Sequence, residues 1–364
     1  MIVCLSPNGP MVHSGEGPAA RVLVATTAGV ETLARDGEGW RRAGLTLEGR
    51  HVSALMVEPT RGGVFAGVHG EGVYRSDDGG QTWEPASDGI DLPNIFSLNC
   101  NIADGAVRLF AGSEPVCLFR SLDYGESWEA FPDIGQMPGR EKWTFPAPPH
   151  VAHLKSIALD PWDPDVLYGC IEQGALMKSA DGGRTWRELD AYAHEDDRWY
   201  HDIHKVVPLA SNADEVLMST GVGLYRSADG GETWGKLTGP SFEIGYPDHL
   251  IVSPFDEETV FVAGAADSPD VWRATKKAMA TVLKSVDGGR TWAPASQGLP
   301  QRGRAAIEAM SLAAEPGRFT LFLGNTDGEV YESRDGAQSW TCIASGLAPV
   351  SKSVHAANLR PAAV

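Results

Sequence analysis

RSDDGGQTW (75–83), RSLDYGESW (120–128), KSADGGRTW (178–186), RSADGGETW (226–234) and KSVDGGRTW (284–292) are copies of one template, and ESRDGAQSW (332–340) is a close sixth. LARDGEGW (33–40) is a degenerate seventh, one residue shorter between its Asp and its Trp. The tryptophans fall at 40, 83, 128, 186, 234, 292 and 340, spaced 43, 45, 58, 48, 58 and 48 residues apart, a period that suits one four-stranded blade per repeat. Within the template, Asp can accept from backbone amides in a tight turn, Gly tolerates positive φ, and Trp supplies a large apolar plate. Asp78, Asp123, Asp181, Asp229, Asp287 and Asp335 are therefore read as turn fasteners, since no enzyme needs one active site per blade.

The pattern Ser-x-Asp-x-Gly-x-Thr/Ser-Trp resembles the Asp-box, or BNR repeat, of sialidases, sortilin-type receptors, some xyloglucanases and photosystem assembly factors. The resemblance spans essentially the whole chain and implies one all-β domain over residues 1–364, a seven-bladed β-propeller of four-stranded antiparallel blades. Strand sets read near 22–43, 64–85, 107–130, 166–189, 216–237, 260–293 and 320–343, six of them preceded by an inner strand such as VSALMVEP (52–59) or LKSIALDP (154–161). The inner strand of the first blade has two candidates, IVCLSP (2–7) and SVHAANLRP (353–361). The C-terminal one is favoured, because pairing the chain ends would remove an open sheet edge.

Composition narrows the function. A hydrophobic share of 42% over 364 residues is ample for a large core, and Gly 42 with Pro 24 fits many tight turns. Lys+Arg 30 against Asp+Glu 48 gives a net charge of −18, which repels phosphate backbones and anionic lipids, so neither nucleic acid nor membrane is an expected partner. The five cysteines are scattered without C-x-x-C spacing and read as free thiols. MIVCLSPNGP has no basic n-region, and no apolar stretch approaches the ~18 residues of a membrane helix, so a cytoplasmic location is expected.

In the propeller that the resemblance implies, the start of each inner strand and the turn between second and third strands open onto one end of the channel. The long loops sort to that face: 132–153, 190–202 and 265–282. They carry Trp143, Phe145, Trp199, Tyr200 and Trp272, aromatics able to wall a pocket or to pack the loops down. His150, His153, His201, His204 and His249 lie at or just before three successive inner strands, with His51 and His355 in comparable places and His69 in a second-to-third strand turn. Glu114 and Glu172 occupy the equivalent turns of blades three and four. Imidazoles and carboxylates converging from several blades are what a divalent metal site needs.

The expectation is a small-molecule-binding propeller, a metal-dependent enzyme acting on a polar substrate. His150, His153, His204 and His249 would be ligands to one divalent transition metal (Zn, Mn, Fe or Cu), and Glu114, Glu172 and His201 catalytic groups. Trp143, Phe145, Trp199, Tyr200, Trp272 and His69 would bind substrate. No nucleotide cofactor is expected. A scaffold that grips a protein partner through the same face is the alternative. A glycoside hydrolase is a further one, with Asp202, Asp248, Glu114, Glu172 and Glu308 as the carboxyl groups available. Of the resemblance's other activities, sialidases carry an Arg-Ile-Pro motif that this sequence lacks.

Overall fold

The computed structural model describes residues 1–145, 149–190, 201–239, 242–301, 303–352 and 355–359. Seven sheets follow one another along the chain, each with its strands in sequence order from channel to rim. The inner strands of blades two to seven are Val52–Val57, Asn94–Ala103, Leu154–Leu159, Ile203–Pro208, Tyr246–Val252 and Ile307–Glu315. Apolar side chains from neighbouring blades interlock between the sheets; Phe65, Leu109, Phe119 and Trp128, for instance, join blades two and three. Burying each such side chain contributes roughly 1.5–3 kcal/mol.

The box turns are built as their residue types require. In the second box Asp78 accepts from Ser76 Oγ at 2.8 Å, the amides of Gln81 and Thr82 at 2.9 Å each, and Thr82 Oγ1 at 2.6 Å. Asp123, Asp181, Asp229, Asp287 and Asp335 repeat this arrangement. The second glycine position favours glycine: Gly183 has φ +92°, and a Cβ there would lie 2.4 Å from Leu118 Cδ2 in the preceding blade. The degenerate box replaces the fastener with a tight hairpin in which Asp36 pairs with Gly39.

The ring closes differently from the favoured expectation. Ile2–Leu5 is the inner strand of blade one and lies parallel to Arg21–Thr26. The chain then crosses the channel, and Val12–Ser14 adds a fifth strand to blade seven, Val12 opposite Leu312. The described part of the C-terminal segment is a helix, His355–Leu359, not a strand. Physically, an inner place already filled from the N-terminus leaves no ladder for that segment to join. It lies over the entrance instead: Thr27 N donates to Pro349 O at 2.9 Å, Val350 N to Asn325 O at 3.1 Å, and the His51 ring meets Ser351 O at 2.8 Å.

One backbone irregularity recurs and decides where the charged residues go. In blades two to seven the pairing of the inner strand slips by one residue near its start, leaving Ser53, Phe96, Lys155, His204, Asp248 and Glu308 as the extra residues. Such bulges re-aim a side chain. Here all six side chains are buried.

Candidate functional site

The bulged residues meet others across the channel axis. Lys155 Nζ, from blade four, lies 3.0 Å from Asp248 Oδ1 of blade six and 3.3 Å from Glu172 Oε1. Lys352, from the C-terminal segment, reaches in from above, with Nζ 2.7 Å from Asp248 Oδ2 and 3.6 Å from Glu172 Oε1. The other Glu172 oxygen faces His153 Nε2 at 3.1 Å, and His153 Nδ1 lies 3.5 Å from Glu114. Glu308 holds His355 Nδ1 at 2.8 Å and accepts from Lys352 N at 3.2 Å.

A second knot joins blades five and six. His204 Nδ1 faces Pro247 O at 2.6 Å, so that nitrogen carries a proton. Its Nε2 lies 3.1 Å from both Tyr246 OH and Asp202 Oδ1, while Tyr246 OH donates to Asp202 Oδ2 at 3.1 Å. Asp202, His204 and Glu172 present ligand atoms within 4.8 Å of one another, a geometry able to hold a cation.

Burial opposes every charge in the cluster, and the partners decide the outcome. Burial pushes the Glu172 and Asp248 carboxyls up, but Lys155 and Lys352 outweigh it and hold both well below the usual range. Burial likewise pushes Lys352 down, yet Asp248, Glu172 and Glu308 keep it well above its ordinary value. His153 is desolvated too, and its contacts with Glu114 and Glu172 still raise it. His249 gains too little from Asp248: among the described residues both ring nitrogens lack a hydrogen-bond partner, and burial drives it down to about 3.

Of the residues singled out from sequence, His153, His204, Glu172 and Glu114 come together with Asp202, Asp248 and Glu308. His249 is buried nearby, outside the group of ligand atoms that Glu172, Asp202 and His204 form among the described residues. His150 does not join them; it is exposed at φ +64° with its ring on Phe145 O. Phe145 and Trp272 prove to be packing residues: Phe145 sits edge-on to His153, and Trp272 is buried against Tyr246 and His355. His69 stacks on His51 and leans on Phe96, which in turn stacks on His153 at 3.8 Å. His201 and Trp143 line a cleft with Lys142 and Glu188. Trp199 and Tyr200 lie outside the described residues.

Three lysines were missed, Lys155, Lys205 and Lys352, as was the part played by Tyr246. A signal existed for two of them: LKSIAL and IHKVVP each set a lysine inside an apolar inner strand.

The BNR/Asp-box repeat family matches residues 74–85. No curated protein matches the chain. Among solved structures, an ancestral GH74 enzyme is similar at 18% identity and TM-score 0.60, over 77% of this chain and 36% of that one. The GH74 enzyme of Niastella koreensis is similar at 17% and 0.58, over 88% and 46%. YCF48 bound to D1 peptide is similar at 16% and 0.56, over 83% and 84%. This chain thus spans less than half the length of either GH74 enzyme. At these identities the likeness is one of fold, and together with the repeat match it makes the chain a seven-bladed β-propeller of Asp-box repeats.

Proposed function

We propose that the entrance end of the channel binds a small polar ligand and that the buried cluster acts on it as an enzyme would. One observation carries this reading. At the bulge position blade two has Ser53 and blade three Phe96, whereas blades four to seven have Lys155, His204, Asp248 and Glu308. The fold accepts an uncharged residue there, and buried ion pairs are often replaceable by apolar groups at no cost in stability. Four blades of charge therefore speak for chemistry rather than for folding.

Asp202, His204 and Tyr246 form a proton-sharing set, and Lys155 with Lys352 would neutralise an anionic substrate or intermediate. Two carboxylates and an imidazole also suit a divalent cation, which Glu172, Asp202 and His204 would hold. A bound cation would polarise a substrate oxygen. The donor set fits, on the condition that Glu172 turns away from its lysines.

Metal analysis of untagged protein tests that part. Near-stoichiometric metal, lost in Asp202→Asn and His204→Ala at unchanged fold, supports it. Metal-free wild-type protein overturns the metal and leaves the proton-sharing set. Loss of turnover on a screened panel of small polar substrates in Tyr246→Phe then tests that set; a panel with no turnover and no binding overturns the enzyme reading.

A scaffold role is the second reading, favoured by the likeness to YCF48, a propeller matched over 84% of its length and solved with a bound peptide. A glycoside hydrolase reading draws on fold likeness alone.

A further inference from the structure

The third lysine of the channel is placed unlike the other two. Lys155 and Lys352 are each held by carboxylates. Lys205 is as deeply buried, yet its Nζ meets only Pro7 O, at 3.1 Å, and no carboxylate lies within 4 Å of it among the described residues. It borders a cavity of about 270 Å³ at the far end of the channel, where the inner strands of blades four to six finish.

The chain segment that crosses the channel after Leu5 forms one wall of this cavity. It is rigidly seated: Asn8 N donates to Ser53 O at 3.1 Å, and a Cβ on Gly9 would lie 2.2 Å from Leu55 O. Asn8 is 2% exposed, and neither atom of its side-chain amide has a hydrogen-bond partner among the described residues. A buried amide with neither atom satisfied is rare in a well-packed protein. Other polar groups on the cavity wall are already engaged: Asn99 donates to Ile157 O at 2.7 Å, and Ser156 to His204 O at 3.2 Å.

We propose that this cavity is a binding site for a small oxyanion, either phosphate or a short hydroxycarboxylate, gripped between the Lys205 ammonium and the Asn8 amide. Lys205 supplies a charge and two uncommitted N–H donors. Asn8 supplies an N–H to a second ligand oxygen and a carbonyl to accept from a ligand hydroxyl. The cavity has room for a ligand of this size. The cavity opens where the inner strands finish, and Lys155, Asp248 and Lys352 of the proposed enzymatic cluster still act on Lys205 electrostatically, though none of them lines the cavity.

The test is calorimetric titration of the full chain with inorganic phosphate, glycolate and acetate, with sodium chloride at matched ionic strength as the control. Saturable binding of phosphate or glycolate is expected, and which of the two binds more tightly identifies the ligand class. Lys205→Met should weaken it at least 10-fold and Asn8→Leu about 5- to 10-fold. Asn8→Leu leaves the charged cluster untouched, so it keeps the test decisive if Lys205→Met fails to fold. Absence of saturable binding by wild-type protein overturns the proposal, as does unchanged affinity in Asn8→Leu.

Discussion

Replacing Lys352 with methionine keeps the apolar stem and removes only the ammonium group. In the native protein that group lies 2.7 Å from Asp248 and 3.6 Å from Glu172. At an effective dielectric of about 20, such distances correspond to attractions of about 6 and 5 kcal/mol. The desolvation of the lysine cancels most of this. What the variant leaves behind is Asp248 and Glu172 sharing Lys155 as their one lysine, and uncompensated buried charge costs about 3–5 kcal/mol. For a chain of 364 residues unfolding as one unit, the entropy of unfolding is about 0.8 kcal/mol/K, so Tm should fall by about 4–6 °C. Scanning calorimetry measures this directly. The double variant Lys352→Met/Asp248→Asn should recover at least half of the loss, because it removes the stranded charge with its partner. A single variant within 1 °C of wild type, or a double variant less stable than the single one, would refute the ion-pair account of the cluster.

Asp181→Ala removes an acceptor of three bonds, from Ser179 Oγ, Thr185 N and Thr185 Oγ1, and should cost roughly 2 kcal/mol in urea unfolding. Ala337 stands at φ +68° where the other full boxes have glycine, Gly125 for instance at φ +82°; Ala337→Gly should therefore raise stability by about 0.5 kcal/mol in urea unfolding, relief of left-handed strain exceeding the entropy lost. Hydrogen bonds from Thr233 and Thr291 hold Asp229 and Asp287 down at about 2. A depressed folded-state value means stability that is complete above the unfolded value of about 3.9 and is lost as pH falls toward 2. Thr233→Val with Thr291→Val should flatten the dependence of the urea midpoint on pH between about 4 and 2, and an unchanged slope would remove these residues from the acid response.

The fold was readable because the box is a local object: each copy states its own turn, and the interval between tryptophans counts the strands. The polar end of the channel was readable in part for the same reason, since His153, His204, Glu172 and Asp202 stand at strand starts and turns whose face follows from blade register. The lysines were not. In LKSIAL strict alternation gives Lys155 one of two faces, and only a bulge, which is a property of pairing with the neighbouring strand, turns it to the axis. Lys352 was hidden by the expectation of a closing strand. Alternation in SVHAANLRP is weak, and Ala356, Ala357 and Leu359 favour the helix that forms. Loop aromatics stood open between two readings: Trp272 and Phe145 are buried, and composition does not distinguish packing a loop from lining a pocket.

The arm that seals the ring is synthesised well before the strand it seals against. Val12–Ser14 has no partner until Ile307–Glu315 has left the ribosome. Until then the nascent protein carries an unmatched edge, an invitation to pair with the wrong molecule. Sealing waits for blade seven, and a nascent chain halted before it has no closed form to reach.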